Sequence, residues 1–350
     1  MASDGASGRR RLDWIDAARG IGILLVVYGH AIRGVVAAGM YRSPALDAQD
    51  ALIYAFHMPL FFFVSGLFAV RRPDDRAVDF VWSRLTSLAW PYLLWSVVQS
   101  LVTLALASSV NNKIGRGDLV SILWQPVAQF WFLYALLLCQ LLLLLPRPLF
   151  YVLALAAVPF TYPFGDNIVS VATRDLPYFA AGVWLTAGGL DRIAAPRPRV
   201  VVVAVAAWAC FAAVMWIGPM MDHDRWAWAT RLAAAASGTA GTLAIARLVA
   251  DRLGLLAWLG TRAMPIYLLH ILFSAGVRIV LQRLHLGLPG PVLLALITLA
   301  GLIGPLIAYE ISERLRWSVA LGFRHARRRP ARPPLEPLPA NADVGVTTRA

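Results

Sequence analysis

Three ionisable residues lie in one apolar stretch near the start of this sequence. Asp16, Arg19 and His30 fall within IDAARGIGILLVVYGH, part of a run long enough to cross a bilayer as a helix. At about 100° per residue, the steps from Arg19 to His30 return to within about 20° of the starting direction, and Asp16 lies about 40° to the other side of His30. The three side chains therefore share one helix face, with about 16 Å along the axis between Arg19 and His30.

The side chains of this face indicate acid–base chemistry. An ionisable group inside a membrane is costly unless it is paired or wetted, so Asp16 and Arg19, one turn apart, are expected to pair. A simple membrane anchor would account for that pair, but it would leave His30 unexplained. Neutral imidazole can take a proton from a hydroxyl at physiological pH, which makes His30 a candidate general base. A helix–helix hydrogen bond is the structural alternative.

Later apolar stretches hold further candidates. His57 in AFHMPLFFFVSG comes two residues before a proline that frees a backbone carbonyl, and Arg84 lies at the edge of SRLTSLAWPYLLW, where a guanidinium could bind phosphate. Trp131 in QFWFLYALLL is either an interfacial residue or part of a pocket wall. Arg174, beside Asp175, belongs either to a structural ion pair or to a cavity.

The composition is that of a polytopic membrane protein. Of the 350 residues, 59% are hydrophobic and 15% are charged, and the mean hydropathy is +0.65. The net charge of +13 is therefore interpreted by membrane topology, and no nucleic-acid-binding module is visible. Cys139 and Cys210 lie far apart in apolar runs, which indicates neither a disulfide framework nor a Cys-based zinc site. HExxH, GxSxG and Walker sequences are absent, so a metal site, a serine hydrolase and an ATP-driven pump are poorly supported.

Apolar stretches of about 20 residues predict an all-α integral membrane protein with about ten transmembrane helices. They lie near residues 15–36, 51–70, 85–107, 126–145, 149–163, 168–187, 200–218, 228–249, 264–283 and 291–312. Arginine concentrates in alternate loops, which predicts that both termini are cytoplasmic. We therefore expect a cytoplasmic segment at 1–11, a membrane domain at 12–312 and a disordered Arg/Pro-rich cytoplasmic tail at 313–350.

Four motifs in order resemble the acyltransferase-3 family of integral membrane acyltransferases, especially its fucose 4-O-acetylase-like branch. They are DAARGIGILLVVYGH, in which ten residues separate Arg19 from His30, then FHMPLFFFVSG, FWFLYALLL and IYLLH, which ends at His270. The resemblance covers about residues 12–312. One motif departs from it, because the family often has a second basic residue three positions after the one matching Arg84, where this chain has Ser87. Arg71, Arg72 and Arg76 are the candidates to substitute for that second basic residue.

The resemblance implies a ten-helix enzyme of the cell membrane that transfers an acyl group, usually acetyl from cytoplasmic acetyl-CoA, to a hydroxyl of a sugar, glycan, glycolipid or other acceptor. No tightly bound cofactor or metal is implied, and the partners are acyl-CoA, the acceptor and membrane lipids. Activity in the family depends on the residues matching Arg19 and His30. We expect His30, Arg19 and Asp16 to be catalytic; the expected substrate-binding residues are Arg84, His57, Trp131, Arg174 and His270.

Two other functions remain open from the sequence. A proton-coupled transporter or exporter of a small metabolite would use Asp16, His30, Arg174 and Asp175 as a relay. A structural membrane subunit gives no account of the stripe on the first helix. The choice between direct transfer and an acyl-His30 intermediate is also open, as is the donor that stabilises the tetrahedral oxyanion; His57, Arg19 and a helix-terminal amide are the candidates.

Overall fold

The computed structural model describes residues 3–69, 76–105, 121–161, 168–187, 196–221 and 223–323. Within these ranges the chain is helical, with turns and short 3₁₀ segments between the helices. The α-helices are α1 (Ser3–Ala37), α2 (Pro44–Tyr54), α3 (His57–Phe68), α4 (Ala77–Arg84), α5 (Trp90–Ala105), α6 (Trp131–Leu141), α7 (Arg147–Ala156), α8 (Ile168–Thr173), α9 (Leu176–Ala187), α10 (Arg197–Ile217), α11 (His223–Val249), α12 (Gly254–Thr261), α13 (Ala263–Leu284) and α14 (Gly290–Arg314). A π-helical turn, Leu85–Ala89, joins α4 to α5.

Seven helical segments in the described ranges are long and apolar enough to cross a membrane, as expected for a multi-pass membrane protein. They are Asp13–Ala37, Pro44–Phe68, Ala77–Ala105, Arg197–Met220, Trp226–Val249, Ala263–Leu284 and Gly290–Arg314. They coincide with seven of the ten predicted spans. The three predicted spans between residues 126 and 187 fall on helices that are shorter than the other seven. The described residues therefore contain seven helices of spanning length, against the ten predicted.

Helix α1 lies at the centre of the bundle, in contact with α2, α3, α11, α12, α13 and α14. Its closest approach is to α12, where two glycines let the backbones touch. A methyl group added at Gly260 would lie 1.7 Å from the carbonyl oxygen of Asp16, and one added at Gly20 would lie 2.0 Å from that of Leu256. No side chain fits at either crossing, so α1 and α12 are held in one register.

The second span is broken into α2 and α3 at Ala55–Phe56. Pro59 lies in the first turn of α3; it lacks the N–H that would bond to the carbonyl of Ala55, and its ring would collide with that carbonyl in a continuous helix. Phe56 accordingly leaves helical geometry, with φ −141° and ψ −18°. The break places Tyr54 and His57 on either side of a turn at the level of His30.

The ordered chain continues beyond the predicted boundary at residue 312. Helix α14 ends at Arg314, and residues 315–323 fold back against α5. Phe323 is buried and stacks on Trp95 with ring centroids 5.7 Å apart, while the indole of Trp95 donates to the carbonyl of Leu321. The packed domain thus extends to residue 323, whereas residues 324–350 lie outside the described residues and their disorder stays a prediction.

Candidate active site

The polar stripe of α1 faces the broken second span. Arg19 pairs with Asp16 at 3.4 Å, as expected from their spacing, and its guanidinium carbon lies 4.9 Å from the centroid of Phe68 at the end of α3. His30 contacts Tyr54, the last residue of α2, edge to face with centroids 6.1 Å apart. Because α2 and α3 run antiparallel to α1, Arg19 meets the end of the second span and His30 meets the break in its middle.

Two other histidines accompany His30. The ring of His270, in α13, lies 5.1 Å from that of His30, and the ring of His57 packs edge to face on Tyr54 at 4.6 Å. His57 is 1% exposed and His270 is 0% exposed, whereas His30 is partly accessible. His57 and His270, both expected to bind substrate, are thus buried in this structure, and their role in binding stays a prediction.

The hydrogen bonds of the two buried histidines fix their tautomers. His57 Nδ1 lies 2.7 Å from the carbonyl oxygen of Ile53, and His270 Nδ1 lies 2.8 Å from that of Tyr267. A carbonyl only accepts, so each Nδ1 carries the proton and each Nε2 is left as an acceptor in the neutral ring. His270 Nε2 is buried and has no hydrogen-bond partner in the described part of the chain. It is therefore an acceptor beside the ring of His30.

Tyr54 is a site residue that sequence analysis missed. The guanidinium carbon of Arg33 lies 3.1 Å from the centre of its ring, and Arg33 is itself held by two hydrogen bonds to Asp50, at 2.8 and 3.0 Å. The hydroxyl of Tyr54 is buried without a hydrogen-bond partner among the described residues. A phenol beneath a cation and beside His30 is thus available as a donor.

A cavity of about 820 Å³ opens beside this group. Arg33 and Tyr54 line it on the side of His30, at the end of the bundle where α1 finishes. The opposite wall comes from α10 and α11 and is largely small and apolar, including Val214, Met215, Ala227, Thr230, Ala234 and Ala235. The volume lies in the range of sites that hold small organic ligands.

Two predicted substrate-binding residues, Trp131 and Arg174, meet in this cavity. The guanidinium carbon of Arg174 lies 4.0 Å from the Trp131 ring centroid, and Arg174 Nε donates to Asp175 Oδ2 at 3.2 Å. Both alternatives left open for Arg174 therefore hold, since it forms an ion pair and also lines a cavity. Arg231, from α11, lines the same cavity.

Arg84 lies apart from the cavity. It ends α4 just before the π-helical turn, and its guanidinium carbon is 4.8 Å from the centroid of Phe80. Ser87, which stands where a second basic residue was expected, donates to the carbonyl of Ser83 at 2.6 Å and is occupied by its own helix. Arg71 and Arg72, the possible substitutes, lie outside the described residues, while Arg76 is described and exposed.

No group of three or more His, Cys, Asp or Glu side chains is placed to hold a metal ion among the residues with described positions. The histidine group instead has carbonyl, aromatic and guanidinium neighbours. The arrangement combines a partly accessible imidazole, a buried phenol and an adjoining cavity.

Two curated relatives share part of their sequence with this chain. Nodulation protein NolL of Sinorhizobium fredii (strain NBRC 101917 / NGR234) is 33% identical over 129 residues, which is 35% of this chain and 33% of the relative. Nodulation protein NolL of Mesorhizobium japonicum (strain LMG 29417 / CECT 9101 / MAFF 303099) is 25% identical over 179 residues, 48% of this chain and 46% of the relative. The matched regions thus span less than half the length of these relatives. No solved structure matches the chain.

A family model covers nearly all of the helical domain. The acyltransferase-3 model, described as an acyltransferase domain, matches residues 12–310, a range that includes Asp16, Arg19, His30, His270 and the cavity wall. On this match, and with His30 and Arg19 at the positions described above, the chain belongs to the acyltransferase-3 family.

Proposed function

We propose that this protein is an O-acyltransferase of the cell membrane that transfers an acetyl group from cytoplasmic acetyl-CoA to a hydroxyl of a sugar, glycan, glycolipid or related small molecule held in the cavity. One observation carries the proposal: His30 is partly accessible, and two of its neighbours, Tyr54 and Arg33, line the cavity of about 820 Å³. The family identity supplies the class of reaction.

The chemical step uses His30 as general base. The imidazole takes the proton of the acceptor hydroxyl as the hydroxyl oxygen attacks the thioester carbonyl carbon. The tetrahedral intermediate collapses with cleavage of the C–S bond, and the imidazolium returns its proton to the thiolate, which leaves as free CoA. A relay through an acyl-imidazole divides this step in two and still requires His30.

Arg19, Asp16 and Arg84 serve the donor in this scheme. Arg19, about 16 Å along α1 from His30, binds the part of the donor that lies on the cytoplasmic side of the thioester, and Asp16 holds the guanidinium through the 3.4 Å contact. Arg84 binds a phosphate of the donor, because a guanidinium stays charged and presents paired N–H groups to phosphate oxygens. His270 Nε2 can accept a hydrogen bond from the N–H of His30. With the His30 ring turned to make this bond, the other nitrogen of His30 is the one that faces the substrate.

Tyr54 is our choice for the oxyanion donor. Its hydroxyl is buried and unpartnered in the described part of the chain, a state that costs free energy unless a ligand completes it. The Arg33 guanidinium over the ring withdraws electron density and strengthens the phenol as a donor. His57, an earlier candidate, already donates its one N–H, on Nδ1, to the carbonyl of Ile53.

Replacing Tyr54 by phenylalanine should therefore lower kcat about 100-fold, the usual effect of losing one oxyanion donor, with little change in the KM for acetyl-CoA. The ring, and with it the contacts to Arg33 and His57, stays in place. Tyr28→Phe is the matched control, since Tyr28 lies two residues before His30 in α1 and its hydroxyl donates to Gln49. Equal kcat values for Tyr54→Phe and the wild type would remove Tyr54 from the mechanism.

The proposed function is tested by release of CoA. Purified protein in detergent is mixed with acetyl-CoA and a panel of sugar acceptors, and free thiol is measured together with acetylated product. We expect acceptor-dependent thiol release. The transporter alternative predicts flux in vesicles that depends on a pH gradient and needs no CoA. Flux without thiol release would therefore contradict the acyltransferase and support the transporter.

A further inference from the structure

Three arginines converge on the cavity beside His30. Arg33 comes from α1, Arg174 from the turn between α8 and α9, and Arg231 from α11, and all three line the wall. Asp175 is the one acidic side chain among the described lining residues. A cavity between membrane helices with this composition carries excess positive charge over the part of its wall that the structure describes.

Two described carboxylates, Asp175 and Asp50, lie against these arginines. Arg174 donates to Asp175 at 3.2 Å, and Arg231 also acts electrostatically on Asp175, so one buried carboxylate is shared by two guanidiniums. Arg33 is matched by Asp50, which lies behind it. Three cations against two anions leave a net charge of +1 (3 − 2) on these five side chains.

The position of these arginines is unusual for a membrane protein. Arginine in this sequence concentrates in the loops predicted to be cytoplasmic, and the cavity lies at the opposite end of the bundle, near the end of α1 and the turn at Gly218–Pro219. Arginines that face a cavity at the disfavoured end are not explained by membrane topology. An anionic ligand in the cavity would give them a function.

We propose that the acceptor carries an anionic group, a carboxylate or a phosphate, and that Arg174 and Arg231 bind this group while the hydroxyl to be acylated lies toward Tyr54 and His30. This inference rests on the proposed function and names its substrate class. Guanidinium groups recognise both oxyanions through paired N–H donors. Asp175 orients the two arginines, and the cavity volume accommodates an acceptor larger than one oxyanion.

The Trp131 ring helps to hold this arrangement. The guanidinium carbon of Arg174 lies 4.0 Å from the ring centroid, so the indole and the hydrogen bond to Asp175 together hold the guanidinium. A side chain held in this way loses little further freedom when it binds a ligand, which favours selective recognition. Arg231 is exposed to the cavity and completes the anion site from the facing helix.

The test compares acceptors that differ in charge. Methyl glucuronoside is paired with methyl glucoside for a carboxylate, and glucose 1-phosphate is paired with methyl glucoside for a phosphate. Binding is measured by tryptophan fluorescence of the purified protein in detergent, and transfer is measured by CoA release. We expect at least one anionic sugar to bind about 10- to 100-fold more tightly than its neutral partner, the range for hydrogen bonds to charged groups.

Arg231→Gln should lower the ratio of anionic to neutral sugar affinity about tenfold, because Gln keeps hydrogen-bonding capacity without the charge. Arg42→Gln is the matched control; Arg42 lies at the same end of the bundle, where it pairs with Asp47 on the surface. An unchanged preference in Arg231→Gln would contradict the assignment.

The outcomes separate the two proposals. If neutral sugars bind and react as well as anionic ones, with CoA release that depends on His30, the acyltransferase stands and the anion site is overturned. If anionic sugars bind selectively but no CoA is released with any acceptor, the anion site stands and the proposed reaction is overturned. If no sugar of either pair binds or reacts, the anion site is overturned.

Discussion

Replacing His30 by alanine should reduce acceptor-dependent CoA release to the background rate. General base catalysis contributes about 10²- to 10⁴-fold, and an acyl-His30 relay would be lost altogether. Neither His57 nor His270 can substitute, since both are buried and both hold their Nδ1 protons on backbone carbonyls. The measurement is thiol release at saturating acetyl-CoA, with acetyl-CoA binding followed in parallel.

Three controls distinguish chemistry from packing in this variant. His285→Asn changes an exposed histidine that has left-handed backbone geometry at the end of α13, where Asn is tolerated, and should retain full activity. Added imidazole should partly restore the alanine variant, because the missing side chain leaves space beside the cavity. Acetyl-CoA binding should be unchanged. Full transfer in His30→Ala would refute both the direct and the relay mechanism.

Replacing Gly260 by alanine should prevent the protein from folding into a stable, monodisperse form. The added methyl would lie 1.7 Å from the carbonyl oxygen of Asp16, and backbone atoms cannot move aside as a flexible side chain can. Overpacking in a core costs about 1–3 kcal/mol when side chains adjust, and we expect a cost at or above the upper end here. Thermal unfolding in detergent and the yield of monodisperse protein measure the effect.

Gly276→Ala is the matched control for this substitution. Gly276 lies within α13 with no atom within 4 Å of an added methyl, so alanine should be tolerated and, through helix propensity, should add up to about 1 kcal/mol of stability. A Gly260→Ala variant as stable as the wild type would mean that α1 and α12 do not approach as closely as the structure shows.

The geometry of α1 could be predicted from sequence because helical periodicity is local. The common face of Asp16, Arg19 and His30 and the Asp16–Arg19 pair follow from spacing alone, and both are present. Seven long spans were found for the same reason, because length and hydropathy are properties of a single segment. Between residues 126 and 187 the apolar content is similar, but breaks such as that before Arg147 divide it into short helices.

Tyr54 could not be found in this way. Its role depends on the helix break that follows it, on Arg33 from another helix and on the ring of His30, none of which is visible in the residues around Tyr54. Pro59, in the HMP sequence, was the one indication in the sequence that the helix is interrupted near His57. The meeting of Arg174, Trp131 and Arg231 is likewise tertiary, because these residues come from three separate parts of the chain.

The direct backbone contact between α1 and α12 has a consequence for how this enzyme can diversify. Because only glycine fits at the crossing, neither helix can slide or rotate without breaking the contact. The position of the helix that carries Arg19 and His30 therefore cannot shift in small steps during evolution. The far wall of the cavity, on α10 and α11, consists of small side chains such as Val214, Ala227 and Ala234, and these can be exchanged without moving α1. New acceptor specificities should therefore arise by substitution in that wall while the reacting groups keep their places.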